Sequence, residues 1–280
     1  MNMLLTQKQP SNQLVQKLIL ACQLEPELLA QDQASLQLAV KHYCQTLVQT
    51  PRVMKRLKLQ GFKQGAIDYF QLGFADRSLG KSLGDSRRTN SAIVRGALER
   101  AELLKANGHP VLRGYVVFPV TFQGIIYGAY GFPAAPYLNK PITTERVSRQ
   151  YLFHQDGLLM SDRVLLCLEP HSAVRLWQLG WHNVVSLIRL QLLSEQQLSL
   201  LKAYQCQLFI ISGKGNSEFI RRLQQQLKTK GIQAEAFCLS HHLTLSQLLS
   251  QKGKTQQQLH QLIKEINIVT SNIAKEPKHE

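Results

Sequence analysis

Three groups of residues have the types and spacing to do chemistry. The first is the cationic run Arg52, Lys55, Arg56 and Lys58. Arg52, Lys55 and Arg56 recur at i, i+3 and i+4, which places them on one face of a helix. No acidic residue falls between Asp32 and Asp68, an interval that also holds Lys41 and Lys63. Cations without compensating acids suit a phosphate backbone, while a solvated helix face is the ordinary meaning of such a run. The second group is the turn Ser212-Gly213-Lys214-Gly215-Asn216. Gly213 and Gly215 can expose backbone N–H groups at a helix start, and Lys214 adds charge, an arrangement that suits phosphate. The spacing is not that of a G-x-x-x-x-G-K-[ST] loop, and a plain strand-to-helix turn uses the same residues. The third is Glu169, a carboxylate closing the apolar run Val164–Leu168. A carboxylate there can cap the following helix or meet Arg175.

Other pairs point to packing. His241 and His242 are adjacent, so in a strand they face opposite sides and chelate poorly. Trp177 and Trp181 stand at i, i+4 across a helix end. Tyr127 and Tyr130 on a hairpin suit either base stacking or sheet-face packing. No spacing supports a Ser-His-Asp or Cys-His arrangement.

The elements that must position these groups are legible from periodicity. Leu14, Leu18 and Cys22 recur at helical spacing, as do Leu36, Val40, Tyr43 and Leu47. Pro51 opens a further helix at its first position. Tyr115–Val120 and Gly124–Tyr130 are β-branched and aromatic, with a hairpin at Phe122-Gln123-Gly124. Residues 133–150, with three prolines, read as a connecting loop. From Arg163 the chain alternates strands (164–168, 183–187, 207–211, 234–239) with helices at 172–179, from the capping box Ser194-x-x-Gln197 to Tyr204, and through Phe219, Leu223 and Leu227. Such alternation implies a parallel α/β sheet. The divisions are a helical extension at 1–37, a helical and hairpin subdomain at 38–150, an α/β domain at 151–250 and a helical tail at 251–280.

Composition bounds the class. The 280 residues carry 33 Lys+Arg against 18 Asp+Glu, a net charge of +15. The apolar share of 44% argues against disorder, and no apolar run reaches the ~18 residues of a membrane span. A strong basic excess is the electrostatic footprint of a nucleic-acid binder, though some basic proteins bind none. The five cysteines are widely spaced with no C-x-x-C, against a zinc ribbon or disulfide framework. Cys167, Cys206 and Cys238 sit in apolar runs and read as small core residues. With no secretory signal pattern, a cytoplasmic location is expected.

Four ordered fragments resemble the catalytic core of bacterial DnaG-type primases, a helical and hairpin subdomain followed by a TOPRIM domain. They are Tyr43 through Arg56-Leu57 and Gly61-Phe62 to Ile67–Ala75; Arg113–Val120 with the return strand Gly124–Gly131; Tyr137-Leu138-Asn139 with Leu152-Phe153-His154; and Val164–Glu169 with Pro170. A variant resemblance, on Val94-Arg95-Gly96-Ala97-Leu98 and Gly108-His109, is to TOPRIM proteins carried beside integrases on mobile elements. The resemblance implies an α/β fold, with Glu169 at the catalytic position. It also implies DNA (single-stranded or primer-template) bound by Arg52, Lys55, Arg56, Lys58, Arg113 and Lys140, and a replicative helicase or integrase as partner.

The departures are specific. TOPRIM chemistry holds Mg²⁺ or Mn²⁺ on carboxylates. Ser212 and Lys214 stand where an Asp-x-Asp pair is expected, and a lysine opposes a dication. Tyr115, Phe132 and Pro136 replace basic residues of the pattern. The leading expectation is therefore a primase-like DNA-binding protein with catalysis impaired, no metal ligand set, and Gly213, Lys214 and Gly215 as a phosphate cradle. The rivals are an active nucleotidyltransferase with a rearranged metal site drawing on Asp156, Asp162 or Glu218, and a non-enzymatic protein docking on a replication or recombination partner.

Overall fold

The computed structural model describes residues 26–83, 89–138, 140–238 and 242–250. In chain order the helices are α1 (Pro26–Val48), α2 (Pro51–Leu59), α3 (Gln64–Tyr69), α4 (Leu79–Ser82), α5 (Thr89–Arg100), α6 (Glu145–Gln150), α7 (Pro170–Trp177), α8 (Glu195–Tyr204), α9 (Ser217–Thr229) and α10 (Leu245–Ser250). The strands are β1 (Gly73–Phe74), β2 (Tyr115–Phe122), β3 (Ile125–Pro133), β4 (Ile142–Thr143), β5 (Arg163–Cys167), β6 (Val184–Ser186), β7 (Gln207–Ser212) and β8 (Ala234–Cys238). A 3-10 turn covers Gln155–Leu159.

Two sheets form. The first is antiparallel in the order β1-β2-β3-β4, and the second is parallel in the order β6-β5-β7-β8. The hairpin β2–β3 turns through Gln123 (φ 50) and Gly124 (φ 78), both left-handed, as a two-residue primed turn requires. Alternation along β2 feeds two cores. Val116, Phe118, Val120 and Phe122 join the central cluster, and Val117 faces the other way against α1 and α5. The parallel strands alternate likewise. Leu165, Cys167, Phe209 and Ile211 enter that same central cluster, while Val164, Leu166, Leu168, Leu208 and Ile210 pack under α8 and α9. One core is thus sandwiched between the two sheets.

Side-chain amides bind distant segments together. Gln178, just past α7, accepts from Lys63 N at 3.0 Å and donates to Gly61 O at 2.6 Å. Gln197 closes the capping box of α8 and also donates to Ser148 O and Tyr151 O at 3.1 and 2.7 Å.

Several expectations need correcting. Residues 133–150 are not only loop: Ile142–Thr143 pairs with Tyr130–Gly131, and α6 follows, capped by Thr144. The division at 37/38 falls inside α1. Cys167 and Cys206 are buried, but Cys238 is exposed, because β8 is an edge strand. His242 lies in a bend beyond β8, so the strand argument does not apply to it. His241, the helix of Leu14, Leu18 and Cys22, and the tail 251–280 lie outside the described residues. Among the described residues, no helix is long and apolar enough to cross a membrane.

Candidate functional site

Strands β5 and β7 are parallel neighbours, with Leu166 opposite Ile210. Extending that register brings Glu169 level with Gly213, so Glu169 and the 212–216 turn share one edge of the sheet. Ligands of open α/β sheets bind beyond this carboxyl edge. Glu169 is the N-cap residue of α7, with extended backbone and Pro170 in the first turn, yet its side chain makes no cap hydrogen bond. Nor does it meet Arg175, which donates to Ser246 O at 2.8 Å. Its Oε2 lies 3.1 Å from His171 Nε2. His171 is buried; its Nδ1 is 3.4 Å from the Tyr130 hydroxyl and its ring is 4.6 Å from that of Phe132. Burial pushes the Glu169 carboxyl up, but the His171 hydrogen bond and charge outweigh it and hold the group below the ordinary glutamate value. Burial and the Glu169 charge both push the Tyr130 hydroxyl up.

This edge does not fit Mg²⁺ or Mn²⁺. Such ions need several hard oxygen ligands, and Glu169 is engaged by His171. Across from it stand Ser212, 3% exposed, and Lys214. Among the described residues, no group of three His, Cys, Asp or Glu side chains could hold a metal. The carboxylates of a rearranged site are scattered. Asp162 precedes β5, at the far end of the sheet from Glu169. Asp156 sits in the 3-10 turn, where it accepts from Gln123 N at 3.0 Å. Glu218 pairs with Arg222 at 2.5 Å on α9.

The glycine turn is committed to the chain itself. Lys214 N donates to Leu243 O at 2.8 Å. A Cβ on Gly213 would lie 2.5 Å from Leu243 O and 2.6 Å from Leu245 N, so only glycine admits that segment. Gly215 is left-handed (φ 103) with open space around it, and Lys214 is exposed.

The cations divide between two places. On α2, Arg52, Lys55 and Lys58 are exposed and Arg56 is half-buried, while Val53 and Leu57 face inward. Pro51 opens the helix as expected, and no acid occupies its first turn. Arg113 is exposed on the turn before β2, and Lys140 is exposed on the loop after β3. A Cβ on Gly114 would approach Leu138 to 3.2 Å, so these two segments lie side by side. Phe62, just after α2, packs against Phe132, and Phe132 against His171, which links the basic helix to the Glu169 edge.

No family model matches the sequence, and no curated protein matches it. Solved structures do. The Aquifex aeolicus primase (zinc-binding and RNA polymerase domains) superposes with a TM-score of 0.71 at 18% identity, over 84% of this chain and 60% of that one. The DnaG primase catalytic domain bound to ssDNA gives 0.68 at 19%, over 82% and 78%. The RNA polymerase domain of Mycobacterium tuberculosis DnaG with double-stranded DNA gives 0.67 at 16%, over 84% and 80%. The fold is that of the DnaG catalytic core. The mixed α/β architecture agrees with it.

Within this primase-like core the aromatic residues serve mainly as packing. Tyr127 stacks on Tyr151 at 4.3 Å, and Tyr130 is buried. Trp177 stacks on Tyr69 at 4.2 Å, and Trp181 packs against the central core. Sequence reasoning missed His171, although its position two residues past Glu169 was a usable signal. It also missed His154 as a buried group. His154 is left-handed (φ 57) and its Nδ1 lies 2.7 Å from Val184 O. A carbonyl only accepts, so Nδ1 carries the proton. Burial lowers its pKa from 6.5 to about 4, with the Val184 bond opposing and His182 assisting. The unfolded chain therefore takes up this proton first as pH falls, and stability drops from pH 6.5 towards 4. The expected loss between pH 7 and pH 5 is about 2 kcal/mol. Denaturant unfolding across that range checks it, with His154→Asn flattening the dependence; equal slopes in both proteins would refute the assignment.

Proposed function

We propose that this protein is a primase-like DNA-binding protein in which nucleotidyl transfer is impaired. The observation that carries the reading is the pairing of Glu169 with His171, opposite a strand end that offers Ser212 and Lys214 instead of carboxylates. Phosphoryl transfer of this class depends on metal ions that neutralise developing charge. The single carboxylate at this edge, paired with His171, does not match that ligand set. DNA binding is supported by the net charge of +15, by the exposed cations of α2 and by the Arg113–Lys140 pair of segments. It is supported too by relatives in fold that were solved with single- and double-stranded DNA. Arg52, Lys55, Arg56, Lys58, Arg113 and Lys140 are the proposed contacts, and the exposed Lys214 side chain beside Gly215 a subsidiary phosphate contact, Gly213 being occupied by the Leu243–Leu245 segment. The setting is replication or mobile-element maintenance, with a replicative helicase or an integrase as the partner to test.

Primer synthesis with Mg²⁺ or Mn²⁺ on a single-stranded template tests the reading. No product above background is expected, and Glu169→Ala should change nothing. Robust synthesis abolished by Glu169→Ala would overturn it and restore the active nucleotidyltransferase. Calorimetric uptake of either ion would count the same way.

A further inference from the structure

A cavity of about 540 Å³ opens between α1, the end of α3, the β2–β3 hairpin and the 3-10 turn. It is distinct from the Glu169 edge, and the proposed function makes no use of it. Lys41, Tyr69, Phe70, Ile126, His154 and Asp156 are among its lining residues.

Its chemistry is asymmetric. Tyr69 is half-exposed, and one ring face is fixed by stacking on Trp177 with centroids 4.2 Å apart and planes at 23°. A ring braced in this way on its back presents a rigid aromatic platform. His154 spends its proton on Val184 O, so Nε2 is a lone-pair acceptor. That Nε2 is buried and has no hydrogen-bond partner, which is uncommon for a buried polar atom. Asp156 adds a carboxylate, of which Oδ1 takes one backbone N–H and further lone pairs remain. A carboxylate that has no donor of its own calls for a ligand that donates. Lys41 is exposed on the α1 side and supplies a cation. Two non-glycine residues of the wall, His154 and Gln71, hold left-handed backbone (φ 57 and 50), a strain that packed structure must support.

We propose that this cavity is a pocket for an amino-bearing nucleobase with its phosphate. Tyr69 stacks on the base, Asp156 accepts from its exocyclic amine, and Lys41 pairs with the phosphate. The base arrives either as a free nucleotide or as a residue of a bound single strand. The inference deepens the DNA-binding reading and rests on it only where the base belongs to a strand.

Calorimetry of the full chain with adenosine and inosine 5′-monophosphates tests it, since inosine replaces the amine by a carbonyl. Adenosine monophosphate should bind about tenfold or more tightly than inosine monophosphate, a difference of about 1.4 kcal/mol. Asp156→Asn should erase that preference, Tyr69→Ala should abolish binding, and Tyr69→Phe should retain it. Thermal melting shows whether each variant folds, and Tyr69→Phe keeps the test open if Tyr69→Ala does not. In a second arm, oligo(dA) is compared with oligo(dT). A loss of oligo(dA) affinity in Asp156→Asn without free-nucleotide binding assigns the pocket to the strand; the reverse assigns it to the free nucleotide. Binding of the two monophosphates with equal affinity, or no effect of Asp156→Asn in either arm, overturns the proposal. The paired variant Lys55→Ala, Lys58→Ala separates the two readings: loss of all DNA binding with nucleotide binding intact leaves the pocket standing alone.

Discussion

Phe118→Ala is expected to lower the unfolding free energy by about 3–5 kcal/mol, the range for a fully buried phenylalanine. Phe118 has no exposed surface and stands at the centre of the core between the two sheets. Its ring meets those of Phe62, Tyr130, Phe132 and Phe153 at 6.1, 5.7, 6.0 and 6.2 Å, mostly edge to face. Those partners come from the α2–α3 connection, from β3 and from the segment before the 3-10 turn. Truncation therefore empties a space shared by both subdomains, and each ring loses a contact worth about 0.5–1.5 kcal/mol beyond its buried area. Urea unfolding should show a lower midpoint at constant slope. Phe118→Leu should cost about 1.5 kcal/mol or less, because volume is largely kept. A loss below about 1 kcal/mol for the alanine variant would mean that the two sheets do not share this core.

The second large effect concerns DNA. Reversing Lys55 and Lys58 to glutamate should weaken binding of a single-stranded oligonucleotide by about tenfold or more at low salt. Both side chains are exposed, so stability should change by only about 0.5 kcal/mol. Each phosphate contact contributes roughly 0.7 to the slope of log affinity against log salt on single strands, so that slope should become shallower by about 1.4. Fluorescence anisotropy across a salt series measures both. Unchanged affinity and slope would remove α2 from the interface and leave Arg113 and Lys140 to carry it. Arg113→Ala with Lys140→Ala provides that comparison directly.

Local patterns made much of this architecture readable. Leu36, Val40, Tyr43 and Leu47 repeat at helical spacing, and all four are buried. Ser194 and Gln197 form the capping box that their spacing announces. The parallel strands were visible as apolar runs, because strands covered on both faces need no alternation. Short elements escaped. The two residues of β4 and six of α6 carry too little periodicity to stand out beside three prolines. Cys238 looked internal because an apolar run does not say whether its strand is central or at an edge. At the Glu169 edge, Ser212 and Lys214 at the end of the third parallel strand were legible directly from the sequence. The carboxylate's partner His171, two residues on, was within reach of the sequence; its further contact with Tyr130 was not, because those two lie 41 residues apart and meet only through tertiary packing. His154 escaped for a similar reason, since its burial depends on Tyr69, Phe70 and Val184 arriving from elsewhere.

The Gln178 amide has a geometric corollary. With both its groups bonded to the backbone immediately after α2, it holds the end of the basic helix at a constant offset from the C-terminal end of α7, the helix that starts just after Glu169. A strand lying along Arg52–Lys58 would meet the carboxyl edge of the sheet in a set phase, as against the graduations of a ruler. Gln178→Ala would loosen the scale without removing a single charge.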